Sequence, residues 1–170
     1  KIFIFTHQKI KLLQEDSILF AIEITKESIM EKQSKIVMGN GVWDLYHYGH
    51  VLHLEAIRRI AGPEGIVWIS VTDDAHVHKG HGQPVWPQEM RAAVVKSNRN
   101  VDKVITVSSL IEALEYTKPH VLVKGIDYRD GLHDFHTEYC RIHCIQIIFT
   151  KTPKYSAQAM INEARKRQGL

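Results

Sequence analysis

Residues 41–50, GVWDLYHYGH, contain the pattern from which the fold can be predicted. They follow an apolar segment, KIVMGN at residues 35–40, and lead into residues 49–60, where apolar side chains recur at helical spacing. This order predicts a β-strand, a tight turn and an α-helix. A helix that begins near Gly49 presents unpaired N–H groups and the positive end of its dipole to the turn, so the turn favours a bound anion.

Two histidines flank the glycine of this turn. Gly49 has no side chain to block an anion, while His47 and His50 carry N–H groups that can donate hydrogen bonds to phosphate oxygens. If protonated, either ring would also offset charge that develops on a phosphoryl group. In a chain with 11 histidines a close pair carries little weight alone, but the preceding strand, the following helix and Asp44 make the pattern more specific. We therefore predict a phosphate site at this turn.

Segments with strand and helix character alternate along the rest of the chain. Near-continuous apolar strands are typical of buried parallel sheets, and strands that alternate with helices imply right-handed crossovers. We therefore predict an α/β fold with a Rossmann-like, doubly wound parallel sheet of about five strands. The predicted strands are residues 35–40, 66–71, 104–107, 121–123 and 145–149; the predicted helices span about 49–60 and 87–97, run from 108 or 109 to 118, and begin at 156.

Such a sheet would gather several polar motifs at one edge, because ligands bind beyond the carboxyl ends of parallel strands. The histidine pair follows the first strand. Asp73 and Lys79 follow the second, and residues 124–128 follow the fourth. Residues 39–41, GNG, are not followed by the third glycine of the dinucleotide-binding fingerprint, which argues against a nicotinamide-dependent oxidoreductase.

Several motifs in order resemble those of a known family. GVWDLYHYGH resembles the G-x-[FW]-D-x-x-H-x-G-H signature of the cytidylyltransferase-like nucleotidyltransferases. VTDDA at residues 71–75, followed by KGHGQP at 79–84 and by Arg91, is similar to the S-D-x-x-x…K-G-x-G-x-P…R stretch of ADP-heptose synthases. VKGIDY at residues 123–128 resembles the V-K-G-x-D-Y motif of that subfamily. Ordered motifs of this kind are far more specific together than singly.

The resemblance divides the chain into two parts. It implies a nucleotidyltransferase domain at residues 35–170. Residues 1–34 lie outside it, and we predict that they form an N-terminal extension with a short strand and a helix. Dimerisation, which is common in the family, and fusion to or association with a sugar kinase are further expectations that the resemblance implies.

The resemblance also implies roles for individual residues. Lys79 lies in a loop of glycine and proline, from which a long cationic side chain would close over a triphosphate. Arg91 would clamp phosphate oxygens or pair with a carboxylate on its own helix, and Asp127 would accept hydrogen bonds from sugar hydroxyls. The implied catalytic residues are His47, His50 and Lys79; the implied nucleotide-binding residues are Gly41, Val42, Trp43, Asp44, Gly49, Arg91, Lys124, Gly125, Asp127, Tyr155 and Ser156.

The chain departs from the family pattern near its C-terminus. Relatives commonly carry a Y-S-T-T-like segment before the last helix, whereas residues 151–158 read KTPKYSAQ. Tyr155 and Ser156 match, and Ser156 would cap the helix while the helix N–H groups hold a phosphate. The two threonines are replaced by Ala157 and Gln158, so we expect lower nucleotide affinity.

The reaction that the resemblance implies is transfer of a nucleoside monophosphate from a nucleoside triphosphate to a phosphorylated small molecule, with release of pyrophosphate. ATP and a sugar 1-phosphate such as heptose 1-phosphate are favoured, with Mg²⁺ bound mainly through the triphosphate and no metal site built by the protein. A CTP-dependent cytidylyltransferase for glycerol 3-phosphate or ethanolamine phosphate is the enzymatic alternative. A nucleotide-binding module without catalysis is an alternative of another class, which the departure at Ala157 and Gln158 motivates.

Composition agrees with one enzyme-sized domain. The chain has 170 residues, of which 44% are hydrophobic and 24% charged, so it can bury one substantial core. A formal net charge of +3 is too mild to predict nucleic-acid binding. We recognise no apolar run of membrane-spanning length and no signal-peptide pattern, and we therefore expect a cytoplasmic protein.

Two cysteines near histidines raise the question of a metal site. Cys140 and Cys144 are spaced for one helical face, but His143 would lie off that face, and a structural zinc site normally needs four ligands. We predict a buried helix-to-strand junction there instead.

Overall fold

The computed structural model describes residues 34–78, 84–129, 131–153, 155 and 157–169, with the side chains of residues 157–159 left aside. The strand and helix predicted for residues 1–34 lie outside these ranges, apart from Ser34, so the extension remains a prediction. Lys79 and Ser156, two of the predicted site residues, also lie outside the described residues.

Five strands and five α-helices alternate in the described ranges. Two of the connections between them contain a 3₁₀ helix, at Asp74–His76 and Ile126–Tyr128. In chain order the elements are β1 Ile36–Gly41, α1 Tyr48–Ala61, β2 Ile66–Thr72, α2 Gln88–Lys96, β3 Lys103–Val107, α3 Leu110–Thr117, β4 Val121–Gly125, α4 Asp134–Ile142, β5 Gln146–Thr150 and α5 Ala157–Arg167.

The strands form one sheet in the order β3-β2-β1-β4-β5, and every pair is parallel. The chain moves outward from β1 to β3 and then returns across the sheet to β4. The strand order therefore reverses between β1 and β4, and this switch point is where open parallel sheets bind ligands. The predicted α/β fold with a doubly wound, five-stranded parallel sheet is confirmed.

Apolar side chains fill both faces of the sheet. On one face Leu54 and Ile57 of α1 pack against Val37 of β1. On the other face Leu114 of α3 packs against Met38, the next residue of β1. Successive residues of a strand point to opposite faces, so β1 is buried on both sides, which explains its apolar sequence.

The junction before β5 differs from the prediction. Cys140 lies in α4 and is buried, but Cys144 is exposed and has a left-handed φ of 54°. Cys144 therefore terminates the turn after α4 on the surface rather than entering the core. Within the described ranges, no group of three or more His, Cys, Asp or Glu side chains is placed to hold a metal ion.

Over the described part of the chain, no helix has the length and apolar character that a membrane span needs.

Candidate functional site

The signature loop between β1 and α1 has an unusual backbone. Trp43 and Leu45 have φ values of 60° and 45°, in the left-handed region that bulky residues rarely adopt. The Trp43 ring is buried, and its indole N–H donates a hydrogen bond to the backbone carbonyl of Ser70, 3.1 Å away. A buried side chain thus holds the loop in a strained conformation, as is common at functional sites.

The two histidines of the signature lie at the start of α1. His47 is the N-cap residue, and the His50 ring accepts a hydrogen bond at Nδ1 from the backbone N–H of His47, 3.3 Å away. The two rings stack with their centroids 3.9 Å apart, and the Trp43 and Tyr46 rings contact His50 at 5.2 and 5.5 Å. Because His50 accepts at Nδ1, its neutral ring carries the proton on Nε2. Both imidazoles therefore lie where a helix N-terminus favours an anion.

Gly49 leaves room for an anion, and the close packing of neighbouring side chains also requires a glycine at this position. A Cβ atom at this position would lie 2.9 Å from the Cβ of Tyr155 and 3.0 Å from Cε1 of His47. The Tyr155 ring meets the Tyr48 ring edge-on, with centroids 5.5 Å apart. Tyr155, which precedes α5, is therefore brought against the signature, although the two are far apart in the sequence.

Lys124 lies at the carboxyl end of β4, across the switch point from the signature loop. Its side chain is buried, its ammonium donates to Oδ1 of Asn40 at 3.0 Å, and its Nζ lies 4.4 Å from the centre of the Tyr128 ring. Burial lowers the pKa of Lys124 to about 8, although the charge of Asp127 raises it. Gly125 allows this arrangement, because a Cβ there would lie 2.5 Å from Oδ1 of Asp127.

Four polar residues that were not predicted from the sequence lie beside Lys124 or next to its partners: Asn40, Ser70, His53 and Thr150. Asn40 binds both Lys124 and the hydroxyl of Ser70, the latter at 2.9 Å. His53 lies one turn beyond His50 on α1, and its Nδ1 is 3.0 Å from the hydroxyl of Thr150. Asn40 and Ser70 could have been found as polar residues within otherwise apolar strands, since such groups need buried partners.

His53 is kept neutral by its surroundings. Burial, and after it the positive charge of Lys124, lower the pKa of His53 to about 4, against an opposing effect of Asp127. The ring stacks on Trp43 with centroids 6.0 Å apart. His53 therefore packs behind the signature as an uncharged ring.

Arg91 is bound on several sides by groups of the protein. It is fully buried, and its guanidinium donates to the backbone carbonyls of Val42, Thr72 and Trp86. Its carboxylate partner is Asp74 at 2.6 Å, which is not on its own helix, so that part of the prediction is wrong. Because its N–H groups donate to acceptors of the protein, one of them the carbonyl of Val42, Arg91 stabilises the signature loop.

Asp44 is likewise engaged by the protein. Its buried carboxylate accepts hydrogen bonds from the backbone N–H groups of Val85 and Trp86, at 2.8 and 3.0 Å. It thereby fixes the segment that leads into α2 against the signature loop. Gly41 packs on the same loop, because a Cβ there would lie 3.2 Å from Nε1 of Trp43.

Comparisons with known proteins agree with this arrangement. Residues 38–167 match the model of the cytidylyltransferase-like family. The chain is 33% identical over 108 residues to the bifunctional protein HldE of Campylobacter jejuni subsp. doylei, covering 61% of this chain and 23% of the relative. It is 43% identical over 99 residues to the bifunctional protein HldE of Alkalilimnicola ehrlichii, covering 56% of this chain and 20% of the relative.

A solved structure shares the fold. The lipopolysaccharide core biosynthesis protein from Thermoplasma volcanium superposes with a TM-score of 0.58 at 21% identity, over 72% of this chain and 98% of that one. The chain spans only about a quarter or less of the length of the two HldE relatives. The family match, by contrast, covers most of the chain and contains every predicted site residue. The chain therefore belongs to the cytidylyltransferase-like family of nucleotidyltransferases.

Proposed function

We propose that this chain transfers the adenylyl group of ATP to a sugar 1-phosphate of the heptose 1-phosphate type. The observation that carries the proposal is the stacked pair His47 and His50 at the start of α1, after β1, with the buried ammonium of Lys124 at the end of the neighbouring strand β4. Two imidazoles, a helix N-terminus and a lysine suit a substrate with several phosphates.

In the proposed reaction, a phosphate oxygen of the acceptor attacks the α-phosphorus of ATP. A new P–O bond forms to the acceptor, the bond between the α-phosphorus and the bridging oxygen breaks, and pyrophosphate leaves. The acceptor phosphate is already an oxyanion at neutral pH, so no general base is needed. His47, His50 and Lys124 would hold the phosphates and offset their charge, which is how catalysis by positioning operates. Lys79 would add a further positive charge, and Ser156 would cap α5.

Mg²⁺ is part of the proposal as a companion of the triphosphate. This ion usually keeps several waters and binds through substrate phosphates and one or two carboxylates. Among the residues that the structure describes around Lys124, amide, hydroxyl and imidazole groups accompany the carboxylate of Asp127, and this set fits an ion that arrives with its phosphate ligands. When bound, Mg²⁺ would neutralise charge on the leaving pyrophosphate.

Relatives named HldE and the lipopolysaccharide core biosynthesis protein support the choice of a sugar phosphate acceptor. The relatives are called bifunctional, which supports an association with a second activity; a sugar kinase is our proposal for it. A homodimer and a cytoplasmic location also remain proposals. A CTP-dependent enzyme is the second candidate, because the family model carries that chemistry in its description. A non-catalytic nucleotide-binding module is the third, because Ala157 and Gln158 replace two threonines.

The test is pyrophosphate release with Mg²⁺, using ATP or CTP against sugar 1-phosphates, glycerol 3-phosphate and phosphoethanolamine. A His47→Ala, His50→Ala double variant is the control. We expect turnover with ATP and one sugar 1-phosphate, and none in the control. Turnover only with CTP would replace the adenylyl assignment. Nucleotide binding without turnover on any acceptor would favour the non-catalytic module.

A further inference from the structure

A row of polar side chains crosses the sheet at the switch point. Asn40 is in register with Ser70 on β2, and on its other side β1 pairs with β4, where Gly39 is opposite Val123. Asn40 follows Gly39 and Lys124 follows Val123, so Asn40 and Lys124 are neighbours across these two strands. The side chains of Asn40, Ser70 and Lys124 therefore lie side by side on one face of the sheet. The Asn40 amide donates to the Ser70 hydroxyl at 2.9 Å and accepts from the Lys124 ammonium at 3.0 Å.

Simple chemistry fixes the orientation of the Asn40 amide. An ammonium group has donors and no acceptor, so the atom of Asn40 that faces Lys124 must be the carbonyl oxygen. The amide nitrogen then faces Ser70, whose hydroxyl oxygen accepts from it. Because Ser70 is fully buried in β2, this hydrogen bond holds the amide in place and directs its oxygen at Lys124.

Burial disfavours the charged form of Lys124. Its side chain is only 5% exposed, and the Tyr128 ring covers the ammonium at 4.4 Å. Asp127 favours the charged form, but burial outweighs it and brings the pKa to about 8. Of the groups on α1 and α4, His53 and His136 feel this charge: burial is the main cause of their lowered pKa values, and Lys124 lowers both further. The oxygen of Asn40 is therefore the neutral acceptor that directly opposes loss of the proton.

We propose that Asn40 is a positioning residue for nucleotidyl transfer, which aims the Lys124 ammonium at the cleft and keeps it protonated, while Ser70 fixes the Asn40 amide. The inference rests on the proposed function, in which a charged Lys124 holds a substrate phosphate. Asn40 acts through Lys124 and needs no contact with the substrate.

Two substitutions of nearly equal size test this role in opposite directions. Asn40→Asp keeps an acceptor and adds a negative charge, so the pKa of Lys124 should rise by about one unit or more. Asn40→Leu removes the acceptor, so this pKa should fall below the wild-type value. Asn100→Asp adds the same charge in the turn before β3, at the opposite edge of the sheet, and should leave Lys124 unchanged.

The primary measurement is the reactivity of the Lys124 amine toward an acylating reagent over a range of pH, quantified by mass spectrometry of the peptide that contains it. The second is the pH profile of kcat/KM for pyrophosphate release. We expect the alkaline loss of activity to move up in Asn40→Asp and down in Asn40→Leu, in step with the amine titration. If Asn40 had only a structural role, its substitution would lower the melting temperature. The midpoints of the amine titration and of the pH profile would then not shift in opposite directions between Asn40→Asp and Asn40→Leu.

The outcomes separate this inference from the proposed function. An unchanged Lys124 titration in folded Asn40→Asp would overturn the inference, whatever the activity. If Asn40→Leu does not fold, Ser70→Ala takes its place, with a smaller downward shift expected because the amide is no longer held. Opposite titration shifts in an enzyme that never releases pyrophosphate would remove the proposed function and still establish that Asn40 sets the charge of Lys124.

Discussion

The buried guanidinium of Arg91 donates a hydrogen bond to the backbone carbonyl of Val42, so α2 is tied directly to the signature loop. The same group binds the carbonyls of Thr72, at the end of β2, and of Trp86, before α2. One side chain thus connects three segments that meet at the carboxyl edge of the sheet. Its role in this structure is to hold the loop that presents the two histidines.

Replacement of Arg91 by Met should therefore destabilise the fold. The substitution keeps an apolar stem but removes the donor from the carbonyls of Val42, Thr72 and Trp86 and from the partly exposed Asp74. A hydrogen bond to a charged group contributes about 1.5–3 kcal/mol, so the free energy of unfolding should fall by at least that amount. Chemical denaturation would measure the free energy of unfolding, with Arg99→Met at an exposed turn position as the matched control. Full stability combined with a raised KM for the nucleotide would instead show direct phosphate binding.

Asp44 offers a milder test of the same region. In Asp44→Asn one oxygen still accepts, but an amide NH₂ now faces one of the backbone N–H groups of Val85 and Trp86. A buried donor that loses its acceptor costs about 1–3 kcal/mol, so the unfolding free energy should fall by that amount. Glu115→Gln, on the exposed side of α3, is the control. A change in nucleotide affinity at unchanged stability would contradict a structural role.

His53 makes the stability of the protein depend on acid pH. The pKa of its ring is about 4 in the folded chain against 6.5 ordinarily, so below pH 6.5 the unfolded chain takes up a proton that the folded chain resists. The stabilisation by neutral His53 is complete above pH 6.5 and is lost as the pH falls toward 4. Between pH 7 and pH 4.5 this group should cost about 2–3 kcal/mol.

The variant His53→Gln removes that titration and retains a donor for Thr150. Denaturant unfolding at the two pH values should show a smaller acid loss than in the wild type. His78→Gln, at an exposed position before α2, should lose as much as the wild type does. An equal acid loss in His53→Gln and the wild type would mean that the ring is charged in the folded state.

The features of this fold that can be predicted from the sequence are those that depend on residues close together in the chain. Alternating apolar strands and amphipathic helices predict the sheet, and the turn before α1 predicts the placement of His47 and His50. Asn40 and Lys124 are 84 residues apart and meet only because β1 pairs with β4, a consequence of the whole topology. The partners of Arg91 could not be predicted for a related reason: they are mainly backbone carbonyls, which leave no trace in the side-chain pattern.

Substitution of Gly49 should reduce activity much more than stability. In Gly49→Ala the new methyl group would lie 2.9 Å from the Cβ of Tyr155, a position that cannot move without its backbone, and 3.0 Å from the His47 ring. Alanine stabilises a helix by up to about 1 kcal/mol relative to glycine, which offsets part of the strain. We therefore expect a near-normal melting temperature with pyrophosphate release reduced about 10- to 100-fold, because small displacements of positioning groups are costly.

The control is Gly131→Ala, where an added Cβ meets nothing within 4 Å; it should leave the melting temperature and pyrophosphate release unchanged. Full activity in Gly49→Ala would show that neither Tyr155 nor His47 needs its present position for the reaction.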